Sequence, residues 1–118
     1  MNFFAQVEEA GLPLTFHVAP QIGGYYGCVD DVGLPRLEIV LKTFPKLIFL
    51  AHSQYFWAEI STDVVQDGNR VAYPKGKVTP GRVVELMRQY PNLHGDLSAG
   101  SGLNAISRVP EFGYSFME

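Results

Sequence analysis

Leu47-Ile48-Phe49-Leu50-Ala51-His52 decides the fold once it is set beside Leu14-Thr15-Phe16-His17. Both are short apolar runs rich in β-formers, both follow a proline-marked turn, and both close on a histidine. Runs of this length bounded by turn residues read as buried strands. A histidine at the C-terminal end of a buried parallel strand points into the mouth of an α/β fold, where such folds keep their chemistry. The separation of 35 residues (52 minus 17) is about one βα unit. If the strands are parallel neighbours, both imidazoles share one rim, within reach of one ion or one substrate.

Working outward, residues 3–10 carry apolar positions at helical spacing. Gly11 follows as a C-cap and Pro13 forbids continuation, so a helix ends there. The strand over 14–19 leads into a glycine-rich loop, 20–33, which contains Pro20, Gly23, Gly24, Gly27 and Gly33. From Leu34 to Phe44 the pattern is helical again, with Leu34, Leu37, Val40 and Leu41 on one face and Pro35 in the first turn. Pro45 ends that helix and the second strand runs from Leu47 to His52. Ser53 is placed to cap a short helix through Trp57 and Ile60. Residues 61–80 form a polar excursion broken by Gly68, Pro74, Gly76 and Pro80. A helix over 81–90, a third strand over 92–99 and a final helix over 110–118 complete the order α-β-α-β-α-β-α. That alternation predicts an α/β fold with a parallel sheet. Three strands are few for a sheet covered on both faces, which points to a piece of a larger barrel.

The bulk properties narrow the function. A chain of 118 residues with 47% hydrophobic content fits one modest domain with a core. Nine basic and twelve acidic residues give a net charge of -3 without a basic stripe, so nucleic acid is not an expected partner. No apolar run approaches the roughly 20 residues that cross a bilayer, and no membrane partner is expected. The first residues lack the basic region and apolar core of a signal peptide. The single Cys28 excludes an internal disulfide and suits a reducing, cytoplasmic setting.

The candidate chemistry starts at His17 and His52. They are either ligands of a divalent metal such as zinc, a ligand and a general base, or core histidines bonded to backbone carbonyls. Asp96 on the third strand is the carboxylate that could complete such a set. With Ser98 two positions on, it is expected on the same strand face, bonding either a metal-activated water or the turn at Gly100-Ser101-Gly102. His94 sits at the start of that strand and reads as structural. Tyr55, Phe56 and Trp57 either wall a pocket or pack the core. Glu59 either supports an imidazole or caps a helix dipole, and Arg108 either binds an anion or pairs with Glu111. Gly23-Gly24-Tyr25-Tyr26-Gly27 lacks the spacing of a phosphate loop, and Cys28 has no evident base beside it.

At these residues the chain resembles the amidohydrolase-related family, metal-dependent hydrolases and decarboxylases on a TIM barrel. The carrying segments are Leu14-Thr15-Phe16-His17, Gly33-Leu34-Pro35-Arg36-Leu37-Glu38, Phe44 through Gln54, Phe56-Trp57-Ala58-Glu59-Ile60-Ser61 and Tyr90 through Ala99. The resemblance implies a partial TIM (β/α)8 barrel in which residues 1–118 form one incomplete domain, its three strands matching the fifth, sixth and seventh of eight. It also implies that His17 is the metal ligand of the fifth strand and His52 a second ligand or the base, with Asp96 in support. The family's His-x-His pair and its last-strand Asp have no counterpart in these residues. The expected activity is therefore a metal-dependent hydrolase or decarboxylase acting on a small molecule, with zinc the expected ion and weakly held. The rival expectation is a catalytically silent fragment that self-associates through open sheet edges.

Overall fold

In the computed structural model the described residues are 2–20, 27–64, 70 and 74–118. Residues 21–26 of the glycine-rich loop, including Gly23 to Tyr26, and residues 65–69 and 71–73 of the 61–80 excursion lie outside them. The described elements are α1 (Asn2–Ala10), β1 (Leu14–Ala19), β2 (Cys28–Val29), α2 (Pro35–Thr43), β3 (Phe49–His52), α3 (Gln54–Trp57) with a 3-10 turn (Ala58–Ile60), α4 (Arg82–Gln89), β4 (Leu93–Gly95), α5 (Gly100–Ser107) and α6 (Pro110–Met117). The strands form one all-parallel sheet in the order β2-β1-β3-β4. The predicted α/β class and the three predicted strands are therefore present. β2, a two-residue strand beside the C-terminal end of β1, is an addition.

Register fixes the faces. Leu14 pairs with Phe49 and Phe49 with Leu93, so these side chains share one face with Phe16, Val18 and Ala51. That face is the core: Val18, Phe49, Ala51 and Leu93 are buried against Leu37, Leu41 and Phe44 of the α2 segment. Phe4 of α1 packs there too, its ring 5.8 Å from Phe44 and 6.1 Å from Phe49. The opposite face carries Thr15, His17, Leu50, His52 and His94. Thr15 and His94 are exposed and the other three only half-buried. A parallel sheet is ordinarily covered on both faces, whereas this one is dry on one side only among the described residues.

Several element ends depart from the sequence reading for tertiary reasons. β3 starts at Phe49, two residues later than expected, because Leu47 turns its N–H to the Phe44 carbonyl. β4 stops at Gly95 rather than Ala99. Asp96 still donates its N–H to Ala51, and its carboxylate then accepts the Ser98 N–H at 2.8 Å, which turns the chain. Asp96 and Ser98 consequently do not share a strand face. Gly100-Ser101-Gly102, expected as a turn, instead opens α5. A side chain at Gly102 would come within 2.7 Å of the Leu97 backbone, so this glycine serves close packing. Ser53 does not cap α3 with its side chain. The cap of α2 was not foreseen: Asp30 accepts the N–H groups of Arg36 and Leu37 while Leu34 turns left-handed at φ 52°.

Candidate functional site

The C-terminal ends of β1 and β3 bring the two histidines together. His17 and His52 are register partners, and their rings stand 4.8 Å apart between centroids at 58°. Alternation along each strand turns both imidazoles to the uncovered face. The shared rim expected from the sequence is the observed arrangement.

Asp96 follows β4 directly and approaches His52 from the side away from β1. Its Oδ2 lies 3.5 Å from His52 Nδ1, an ion-pair distance longer than a normal hydrogen bond. Nδ1 is buried and, among the described residues, has no hydrogen-bond partner. A buried ring nitrogen in that condition carries a desolvation cost unless a partner closes on it. A shift of well under 1 Å in Asp96 closes the bond. With Nδ1 turned to Asp96, the opposite ring nitrogen, Nε2, is the one left for a ligand or a substrate proton.

The electrostatics favour a neutral His17 and an ionised Asp96. Burial holds the His17 imidazole below the ordinary histidine value, and the neighbouring His52 pushes it the same way. Asp96 is held below the usual carboxylate value, first by the Ser98 hydroxyl, then by the Ser98 N–H, with His52 adding a smaller attraction. A neutral imidazole is the form that binds a metal.

Two of the residues suit a divalent ion. Zinc held about 2.0–2.1 Å from each imidazole nitrogen in tetrahedral geometry places two ring centroids roughly 5 Å apart, close to the separation found here. A third ligand is not in place: among the described residues, no three His, Cys, Asp or Glu side chains group to hold a metal. Asp96 stands beside His52 as its neighbour, not as a third ligand to an ion between the rings.

The other candidates are spent elsewhere. Glu59 is buried and accepts the Gly33 N–H at 2.7 Å, and its second oxygen pairs with Arg70 at 3.3 Å. It contacts no imidazole in these bonds. Burial pushes its carboxyl up, against the pull of Gly33 and Arg70. Arg70, itself fully buried, also donates to the carbonyls of Asp30 and Asp31 and lies over the Tyr55 ring. Arg108 pairs with Asp63 at 2.9 Å and donates to the carbonyls of Lys75, Gly76 and Lys77, not to Glu111. Tyr55, Phe56 and Trp57 are core residues, and Trp57 also donates its indole N–H to the Asp96 carbonyl at 3.0 Å. His94 is exposed on the histidine face in the middle of β4. Cys28 is exposed at the edge of an apolar cavity of about 210 Å³ on the helix-covered side, lined by Phe4, Phe16, Val18, Leu37 and Phe49.

Sequence reasoning missed Arg70 altogether. An arginine inside a polar excursion carries no signal of burial, because its partners come from segments 11 and 40 residues away. The comparisons with known proteins add no relative: no family model matches the chain, and no curated protein or solved structure is significantly similar to it.

Proposed function

We propose that this chain is a portion of an amidohydrolase-type TIM barrel and that His17, His52 and Asp96 belong to the site of a metal-dependent hydrolase or decarboxylase. The observation that carries the reading is the registered histidine pair at the ends of adjacent parallel strands, with a carboxylate against Nδ1 of the second. The unbroken neighbour order β1-β3-β4, with a helix in each crossover, supports the barrel. β2 is a departure from that pattern. His17, together with His52 where it acts as a ligand, would hold the ion. A bound divalent ion supplies Lewis-acid polarisation of a substrate carbonyl and of a water molecule. His52, oriented by Asp96, serves as ligand or as the base that takes a proton at Nε2. The substrate class is a small molecule with a hydrolysable C–N or C–O bond or a carboxylate to lose, and the lone cysteine fits a cytoplasmic setting.

Zinc titration of the purified chain followed by calorimetry tests the site. Binding with one ion per chain, lost in both His17→Ala and His52→Ala, is the expected outcome. Equal binding in the parent and both variants rejects the shared site.

One observation favours the second reading, a silent fragment that pairs with a second copy of itself. Thr15 and His94 lie exposed on a parallel sheet, a surface such folds ordinarily cover. Light scattering that gives a monomer across the accessible concentration range removes this reading.

A further inference from the structure

The corner between β3 and α3 does more than reverse the chain. Ser53, directly after His52, has φ of 111°, a region that L side chains rarely adopt. Glycine would occupy it without strain. What glycine lacks is the hydroxyl: Ser53 Oγ accepts the Val18 N–H at 3.2 Å and donates to the Val18 carbonyl at 3.5 Å. These bonds join the residue after His52 to the residue after His17. Strain held at a buried polar residue beside candidate chemistry is the pattern expected of a functional constraint.

The other end of the corner reaches the third member of the cluster. Trp57 is buried, and its indole N–H donates to the Asp96 carbonyl at 3.0 Å. Its six-membered ring lies so close to Gly95 that a Cβ there would stand 2.6 Å from the ring. The Asp96 backbone is therefore gripped from two sides, by Trp57 and by its own N–H to the Ala51 carbonyl at 2.8 Å. Ser98 then fixes the carboxylate.

We infer that the β3–α3 corner is the positioning device of the histidine rim: Ser53 sets the spacing of His17 from His52, and Trp57 holds Asp96 against Nδ1 of His52. Ser53 and Trp57 are positioning residues that act through their neighbours. The inference rests on the site reading above for its purpose, and on the hydrogen bonds alone for its geometry.

The test is made on the whole chain without metal. Long-range proton–nitrogen spectra of the imidazoles report which nitrogen of His52 carries the proton, and ring-to-ring NOEs report the His17–His52 spacing. The parent should hold its His52 proton on Nδ1, as an adjacent carboxylate acceptor dictates. Trp57→Phe should move that proton toward Nε2, as Asp96→Ala also should. Ser53→Ala and Ser53→Gly should weaken the ring-to-ring NOE, and the glycine variant, free of backbone strain, keeps the test usable if the alanine variant folds poorly. Leu41→Val, a core change in α2, should alter neither signal. A second arm titrates Co²⁺ and reads its visible spectrum. Trp57→Phe should weaken the ion by about 10-fold, the lower end of the cost of losing a supporting partner. If the parent takes up no cobalt while the proton and the NOE respond as stated, the metal reading falls and the positioning role stands. If both signals in the Trp57 and Ser53 variants match the parent, the positioning role is overturned whatever cobalt does.

Discussion

Gly95→Ala should destabilise this protein, and Trp57→Phe should remove most of that penalty. The backbone of Gly95 lies under the indole, where a Cβ would come 2.6 and 2.8 Å from two carbons of the six-membered ring. Ordinary contact between carbons needs about 3.5–4.0 Å, so the ring or β4 must move by roughly 1 Å. Trp57 has little room to give, with the Phe56 ring 5.1 Å and the Phe116 ring 6.1 Å away between centroids. Overpacking of this kind costs about 1–3 kcal/mol. Lost freedom of the unfolded chain returns about 0.4–1 kcal/mol, leaving a net penalty of at most about 2.6 kcal/mol and about 1–2 kcal/mol through the middle of the two ranges. At about 2.1 cal/mol/K per residue, a chain of this size loses roughly 4 °C of Tm per kcal/mol, so the melt should drop by about 4–8 °C. Phenylalanine at position 57 does not reach the two offending atoms. In the Trp57→Phe background the same Gly95→Ala change should then cost close to nothing. Thermal melts by circular dichroism on the four proteins of this cycle provide the measurement. A Gly95→Ala chain as stable as its parent, or an equal penalty in both backgrounds, refutes the packing of Trp57 under β4.

Three further outcomes follow from the same structure. Arg70→Met leaves the buried Glu59 carboxylate without its cation and should cost about 3–5 kcal/mol in urea unfolding. Glu59→Gln, which keeps an acceptor for Gly33 and Arg70, should cost less, and an Arg70→Met chain as stable as its parent would show that Arg70 is not the buried partner described. His17 has a folded-state pKa below its ordinary 6.5, so the unfolded chain takes the proton more readily. Its contribution to stability is complete above that value and is lost as pH falls from 6.5 toward the folded value. Urea midpoints measured between about pH 5 and 8 should therefore rise less steeply in His17→Gln than in the parent, and equal slopes would contradict the shift. Asp30→Ala removes the acceptor for two N–H groups at the start of α2 and should cost about 0.5–2 kcal/mol, with faster amide exchange at Arg36 and Leu37. Unchanged exchange there would dismiss the cap.

Much of the scaffold was legible because it depends on near neighbours in the chain. Pro13, Pro35, Pro45 and Pro91 punctuate the elements, and the apolar runs between them have no polar alternative to burial. The pairing of His17 with His52 was likewise readable, since equal strand ends one βα unit apart fall in register when the strands are parallel. Where β4 ended was not readable, because the competitor was a hydrogen bond from Ser98 back to Asp96 that only forms once the chain leaves the sheet. The helix over Gly100–Ser107 was hidden behind two glycines, of which Gly102 serves close contact with the Leu97 backbone. The burial of Arg70 and Glu59 lay beyond any local pattern, because a polar pair looks the same in sequence whether it is solvated or sealed.

By itself, then, the sequence determined a parallel α/β frame and two histidines at one rim, because strand length, breakers and period are local properties of the chain. Only the tertiary structure decided what surrounds them. It put Asp96 at Nδ1 of His52, spent Glu59 on Arg70 and left one sheet face only partly covered among the described residues. It also turned Ser53 and Trp57 from a cap and an aromatic filler into the ties between the strand ends. Those choices depend on distances between residues remote in sequence, and close packing sets such distances only after the whole chain has folded.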